Sequence, residues 1–232
     1  MVDLTMNPAK KRWVWLERSL LAVITFSVAT IAWALFNGGG DQRPHQSIDS
    51  VPGWRNLLSA AVPGDSIAVA STPATVVVLS DLECPYCRDF HRVLWAVQEA
   101  HPGQVSLAFV HFPLGIHPHA LEAARAVECA AEQHRSGSMI DAIFSAQDSL
   151  GVLPWDSFAI RAAIPSIPAL MGCLSNPELP LRVAEGRRLA DSIRAPGTPT
   201  VFVNEWQFAY PPSREELTTV VEAVIAGTKP KL

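Results

Sequence analysis

The cysteine pair in Cys84-Pro85-Tyr86-Cys87 constrains this chain more than any other feature. It stands between two segments of different periodicity. Thr75-Val76-Val77-Val78-Leu79-Ser80 is a β-branched run that reads as a buried strand. From Arg88 to Ala100, the apolar positions Phe90, Leu94 and Val97 recur at helical spacing. The cysteines therefore sit where a strand ends and a helix begins, beside unsatisfied N–H groups and the positive end of the helix dipole. A thiolate placed there is stabilised, so its pKa falls below the free value of about 8.5. Cys84 is the outer residue, expected to be exposed and to act as nucleophile. Cys87 lies one turn further in, within disulfide reach. Pro85 fits the first helical turn, which does not use its N–H. Glu83 works in the other direction, because its charge disfavours a neighbouring thiolate.

Three chemistries use such a pair. A zinc site needs a second ligand pair at metal spacing, and the remaining cysteines, Cys129 and Cys173, stand alone. A structural disulfide across one helical turn closes almost no chain and stabilises little. A redox dithiol following a strand is the reading that the context favours.

The segment Leu79-Ser80-Asp81-Leu82-Glu83-Cys84-Pro85-Tyr86-Cys87-Arg88-Asp89-Phe90-His91 resembles the active-site segment of DsbA-like thiol–disulfide oxidoreductases, within the thioredoxin superfamily. Gly197-Thr198-Pro199-Thr200-Val201-Phe202-Val203-Asn204 is similar to that family's cis-proline loop and following strand. Between them, His117-Pro118-His119-Ala120, Ala123-Ala124, Cys129-Ala130, Gln133 and Asp141-Ala142-Ile143-Phe144 also resemble the family, so the likeness runs from about Ser66 to Gly227. It implies a thioredoxin fold, an α/β architecture, with an inserted helical subdomain. It implies a cis Thr198–Pro199 bond packed beside the dithiol, with Thr198 backbone groups free to pair with an extended substrate peptide. It also implies that Cys129 and Cys173 form a second disulfide, as at these positions in some relatives; the alternative is two buried free thiols. Two departures bear on packing. Relatives carry an aromatic pair where this chain has Ser136-Gly137, and a glycine where Glu205 follows Asn204. The second is costly if the turn needs a positive φ at Glu205.

Ser19 to Phe36 is a run of 18 residues without a charge, flanked by Trp13, Trp15 and Leu16. That is just long enough to span a bilayer. Lys10, Lys11, Arg12 and Arg18 lie only on its N-terminal side, which keeps residues 1–18 in the cytoplasm. The rival reading is a signal peptide cleaved after Ala32-Trp33-Ala34, although its apolar part usually runs to only about 7–15 residues. Both readings place the rest of the chain outside the cytoplasm, on the periplasmic side. The even number of cysteines, four, suits such an oxidising compartment. Net charge is −4 with no basic stripe, which speaks against nucleic acid as a partner.

Residues 37–64 read as a linker containing Gly38-Gly39-Gly40, followed by a packing arm in which Ser50 to Ala61 forms a short helix. Residues 65–232 read as the thioredoxin-like domain, with a helical insertion at about 117–195. Its strands are expected at Ser66–Ala70, Thr75–Ser80, Gln104–His111, after Pro199 and at Trp206–Tyr210. Helical patterns in the insertion cover Ala120–Gln133, Met139–Ser149, Trp155–Ile164, Ser166–Leu174 and Glu178–Ile193. Ser213 and Glu216 form a capping-box pattern before a last helix that buries Leu217, Val220, Val221 and Val224. His117 and His119, at i and i+2, do not share a helix face and complete no metal site; a loop-to-helix entry is their expected role. His91 reads as a surface helix residue, and Met139 and Met171 as core fillers.

The expectation is a membrane-anchored thiol–disulfide oxidoreductase without cofactor or metal. It is a monomer that oxidises protein thiols and is recharged by a quinone-linked membrane partner, the partner being implied by the resemblance alone. The alternatives are a reductase or isomerase using the same dithiol, and a module that carries copper on its two thiolates.

Overall fold

The computed structural model describes residues 46–63 and 72–232. Within them β1 is Ile48–Ser50, β2 Ala74–Ser80, β3 Val105–His111, β4 Thr200–Val203 and β5 Trp206–Phe208. The α-helices are α1 Pro85–Ala100, α2 Ala120–Ala131, α3 Ser136–Ser145, α4 Trp155–Arg161, α5 Ile167–Leu174, α6 Leu181–Ser192 and α7 Arg214–Ile225. The expected membrane segment at 19–36 and the expected strand Ser66–Ala70 lie outside the described residues. Among the described residues, no helix is long and apolar enough to cross a membrane.

The β-branched run forms an interior strand of the sheet, β2, flanked by β3 and β4. All seven residues of β2 are buried, because both faces of the sheet are covered. Side chains alternate along a strand, so Val76 and Val78 enter one core while Val77 and Leu79 enter the other. β2 pairs in parallel with β3 and antiparallel with β4, giving the sheet order β1-β5-β4-β2-β3. The first face carries α1, α7 and α2 to α5, with Phe90, Leu94, Val127, Ile143, Phe158 and Leu217 in its core. The second face carries α6 and a short 3-10 helix, Trp54–Ala60, whose Trp54, Leu57 and Ala60 are buried. This is the thioredoxin-like α/β fold, with five helices inserted between β3 and β4.

Several elements differ from the sequence reading. Helix α1 begins at Pro85, so that Cys84 is its N-cap. A strand, β1, precedes the packing arm and extends the sheet beyond β5, with Ile48 opposite Phe208. The helical pattern from Met139 to Ser149 breaks after Ser145 and resumes as a 3-10 turn, Gln147–Ser149. Met139 is fully buried, but Met171 is 42% exposed and fills no core. The β4–β5 turn takes its positive φ at Asn204, +49°, and not at Glu205, so the missing glycine costs little. Asn204 also accepts from Thr75 N (2.8 Å) and donates to Pro73 O (3.1 Å), fastening the turn to the start of β2. Ser136 and Gly137 open α3; the small side chains leave a cavity of about 60 Å³ against Leu94, Leu107, Phe109 and Ile140. Ser136 donates its hydroxyl to Pro63 O.

α6 reaches the sheet closely only because residue 186 is glycine. A Cβ there would fall 2.1 Å from His111 O. Nearby, Glu128 of α2 is buried between His111 Nε2 (3.2 Å) and Arg182 Nε (2.9 Å), which ties α2, β3 and α6 together. Burial alone would raise the Glu128 pKa, but His111, and then Arg182, outweigh it and hold the carboxyl below its usual value.

Candidate active site

The dithiol sits where strand physics hands over to helix physics. Cys84 has extended backbone (φ −73°, ψ 121°), and its carbonyl accepts from Cys87 N and Arg88 N at 3.1 and 3.2 Å. Both thiols are free, so the structure shows the reduced centre. Thr198–Pro199 is a cis bond that brings the second motif alongside: Cys84 Sγ lies 3.5 Å from Thr198 O. The two segments that resemble the family are thus adjacent in space although 114 residues apart. Cys129 and Cys173 are bonded to one another, with Cα atoms 5.7 Å apart, and link α2 to α5.

The expected exposure of Cys84 needs correcting. Cys84 is 4% and Cys87 2% exposed, because the proline loop covers the first sulfur. The two thiols are distinguished by electrostatics instead. The hydrogen bond from the Cys87 thiol brings the Cys84 pKa down to about 5; burial opposes this, and Thr198 and the N–H groups of Cys87 and Tyr86 assist. The Thr198 hydroxyl is buried and, among the described residues, has no other partner, which leaves its hydrogen available to a Cys84 thiolate. Burial pushes the Cys87 thiol well above its usual value, and the hydrogen bond and charge of Cys84 push it further. Removal of one proton therefore leaves a thiolate on Cys84 and a thiol on Cys87.

Asp81, which the sequence reading assigned no role, organises the turn. Its side chain is fully buried. Oδ1 accepts from Glu83 N at 2.7 Å, while Oδ2 accepts from Leu114 N and His117 Nδ1, both at 2.8 Å. Its own N–H lies 3.4 Å from Cys87 Sγ, and its carbonyl accepts from Cys84 N. Glu83 accepts from His119 N at 2.6 Å, which satisfies an N–H at the start of α2. His117 and His119 do mark a loop-to-helix entry, and both fasten that loop to the cysteine turn. Gly151 packs against the His119 ring, where a Cβ would fall 2.2 Å from Nε2. His91 pairs with Asp141 of α3 (2.7 Å) and packs at a tilt against the Phe144 ring (centroids 4.8 Å apart), so it joins two helices and is not a free surface residue.

Gln147 was also missed. Its buried amide donates to Leu82 O (2.9 Å) and Cys84 O (3.0 Å), so the insertion holds the active-site turn directly. Nothing in the spacing of a lone glutamine within a helical pattern signals this. Asp81 was more findable, because an acidic residue closing an apolar strand has no apolar surface to bury. Among the described residues, no group of three or more His, Cys, Asp and Glu side chains is arranged to hold a metal ion.

A sequence profile of the family described as Thioredoxin matches residues 66–223. Among solved structures, oxidised BdbD from Bacillus subtilis superposes with a TM-score of 0.63 at 18% identity, covering 77% of this chain and 100% of that one. Alpha-DsbA1 of Wolbachia pipientis gives 0.61 at 21% identity, covering 74% and 96%. Among curated proteins, the chain is 33% identical over 218 residues to the Na(+)/H(+) antiporter NhaA 3 of Salinispora tropica, covering 90% of this chain. It is 36% identical over 233 aligned residues to NhaA 1 of Mycolicibacterium gilvum, covering 96%. The chain spans about a third of the length of these antiporters, 33% and 36% respectively.

Proposed function

Because this chain belongs to the thioredoxin family and has the fold of DsbA-type oxidoreductases, we propose that it exchanges disulfides with protein substrates through Cys84 and Cys87, in the oxidising direction. The observation that carries this is the split between the two thiols, one held at about 5 and the other raised well above its usual value. A stabilised thiolate belongs to the reduced enzyme only. It therefore favours reduction of the enzyme disulfide, which makes that disulfide an oxidant. A substrate thiolate attacks Cys84 Sγ, the Cys84–Cys87 bond breaks, and Cys87 takes up a proton. A second substrate thiolate then attacks the substrate sulfur of the mixed disulfide and expels the Cys84 thiolate. Two electrons pass to the enzyme, and a quinone-linked membrane partner removes them.

Thr198 and Pro199 form the wall against which an extended substrate segment lies. Ser19 to Phe36 anchors the protein, with the redox domain on the periplasmic side, where the Cys129–Cys173 bond is stable. The enzyme acts as a monomer.

Oxidised protein mixed with a reduced, unfolded disulfide protein should transfer its disulfide stoichiometrically. A Cys87→Ala variant should accumulate mixed disulfides through Cys84, and a Cys84→Ala variant none. Complexes through Cys87 in the second variant would reverse the assignment. Retention in membranes after an alkaline carbonate wash tests the anchor; a soluble form beginning at Leu35 contradicts it.

A further inference from the structure

The turn that presents Cys84 also buries a negative charge. Asp81 has no exposed side-chain surface and ends three residues before Cys84; Glu83 adjoins the cysteine. Two carboxylates next to a forming thiolate would oppose it, by the argument that like charges disfavour ionisation. A buried carboxylate also requires a counter-charge. Among the described residues, His117 is the only basic side chain within ion-pair distance of Asp81. It comes from the loop between β3 and α2. That loop is fixed onto the cysteine turn by Phe112 N on Ser80 O (2.8 Å), Leu114 N on Asp81 Oδ2 and His119 N on Glu83 Oε2. The Nδ1–H is spent on Asp81, and the same Asp81 residue bonds Cys84 N through its carbonyl. Imidazole, carboxylate and nucleophile are thus joined through one residue.

We infer that His117 is a positioning residue of the redox centre: held by Asp81, its imidazolium offsets the carboxylates beside Cys84 and so stabilises the thiolate of the reduced enzyme. The groups that face His117 are Asp81 and Cys84 of the turn and Glu83 beside them. Burial of the ring works against its charged form, but the hydrogen bond and charge of Asp81, followed by the charges of Cys84 and Glu83, hold His117 above the ordinary histidine value. The coupling is reciprocal. Oxidation joins Cys84 to Cys87 and removes the thiolate, so His117 binds its proton less tightly in the disulfide form. In the exchange, the substrate dithiol loses two electrons and two protons. The enzyme disulfide takes both electrons and one proton, on Cys87; the other proton goes to solvent.

The inference rests on the redox reading for its consequence, the oxidising strength, but the charge coupling is testable without it. His117→Asn keeps a donor for Asp81 and removes the titrating ring. In the reduced variant, thiolate absorbance should show the Cys84 pKa raised by about one unit. The glutathione equilibrium near neutral pH should move about tenfold toward the disulfide, equivalent to about 30 mV. The difference in the glutathione equilibrium should fade as the pH rises through the titration of His117. A purely structural role would lower the melting temperature and leave the Cys84 profile in place. Should the variant fail to fold, histidine NMR titrations of the wild-type protein decide the matter: His117 should titrate higher in the dithiol than in the disulfide form. Identical titration in the two forms, or a folded variant with the wild-type Cys84 profile, overturns the inference. A wild-type protein that forms no Cys84–Cys87 bond in glutathione buffers overturns the redox reading instead, while the NMR comparison of reduced protein with and without Cys84→Ala still reports the coupling.

Discussion

Replacing Gln147 by leucine should detach the helical insertion from the active-site turn. The amide donates to Leu82 O at 2.9 Å and Cys84 O at 3.0 Å, and its residue is 6% exposed. Leucine is somewhat larger than glutamine, so the change opens no cavity. What is lost is two hydrogen bonds, each contributing about 0.5–1.5 kcal/mol net, and what is left is two buried carbonyls with fewer partners. Each orphaned carbonyl costs about 1–3 kcal/mol when nothing replaces the donor. Cys84 O keeps its helical partners, Cys87 N and Arg88 N, so the penalty falls mainly on Leu82 O. A loss of about 2–4 kcal/mol follows. For a domain of this size that lowers the melting temperature by about 4–16 °C. Urea denaturation of the reduced Cys84–Cys87 form, with the Cys129–Cys173 bond intact, measures it directly. A loss below about 0.5 kcal/mol, the usual range for a surface change, would show that the amide does not hold the turn.

The Cys129–Cys173 bond closes a loop of 44 residues. Replacing both by serine should cost up to about 4 kcal/mol in urea denaturation, and a peptide map of the non-reduced protein should contain the linked pair. Glu128 gives a pH signature. Its folded pKa is depressed, so its contribution is present above the unfolded carboxyl value and is lost as pH falls through the folded value. Glu128→Gln should therefore be less stable than wild type at neutral pH, and the two should converge in acid; a constant difference across the range would refute the assignment.

The strand-to-helix handover was legible because periodicity changes there. The run Thr75 to Ser80 reads as a buried strand, and Phe90, Leu94 and Val97 recur at helical spacing. The capping box of Ser213 and Glu216 forms as its spacing implied, with both reciprocal hydrogen bonds present. The pairing of Thr198 with Cys84 was legible only through resemblance, since no local pattern brings positions 114 residues apart together. Roles set by long-range polar contacts stayed hidden. Asp81, His117 and Gln147 act through partners 33 to 65 residues away, and a hydrogen bond across that distance leaves no periodic trace. The break after Ser145 is of the same kind, because bending the chain there brings Gln147 to the turn. The closure over Cys84 depends on the proline loop, so exposure judged from its helix position alone came out too high.

In the reduced enzyme Cys84 carries the thiolate while Cys87 keeps its proton. A pH titration of thiolate absorbance in reduced wild-type protein, repeated on Cys84→Ala, tests it most directly. A single group titrating at about 5 in the wild type, and absent from the Cys84→Ala variant, is the expected result. Titration of both thiols near the free cysteine value of about 8.5, or a low transition that survives loss of Cys84, would contradict it.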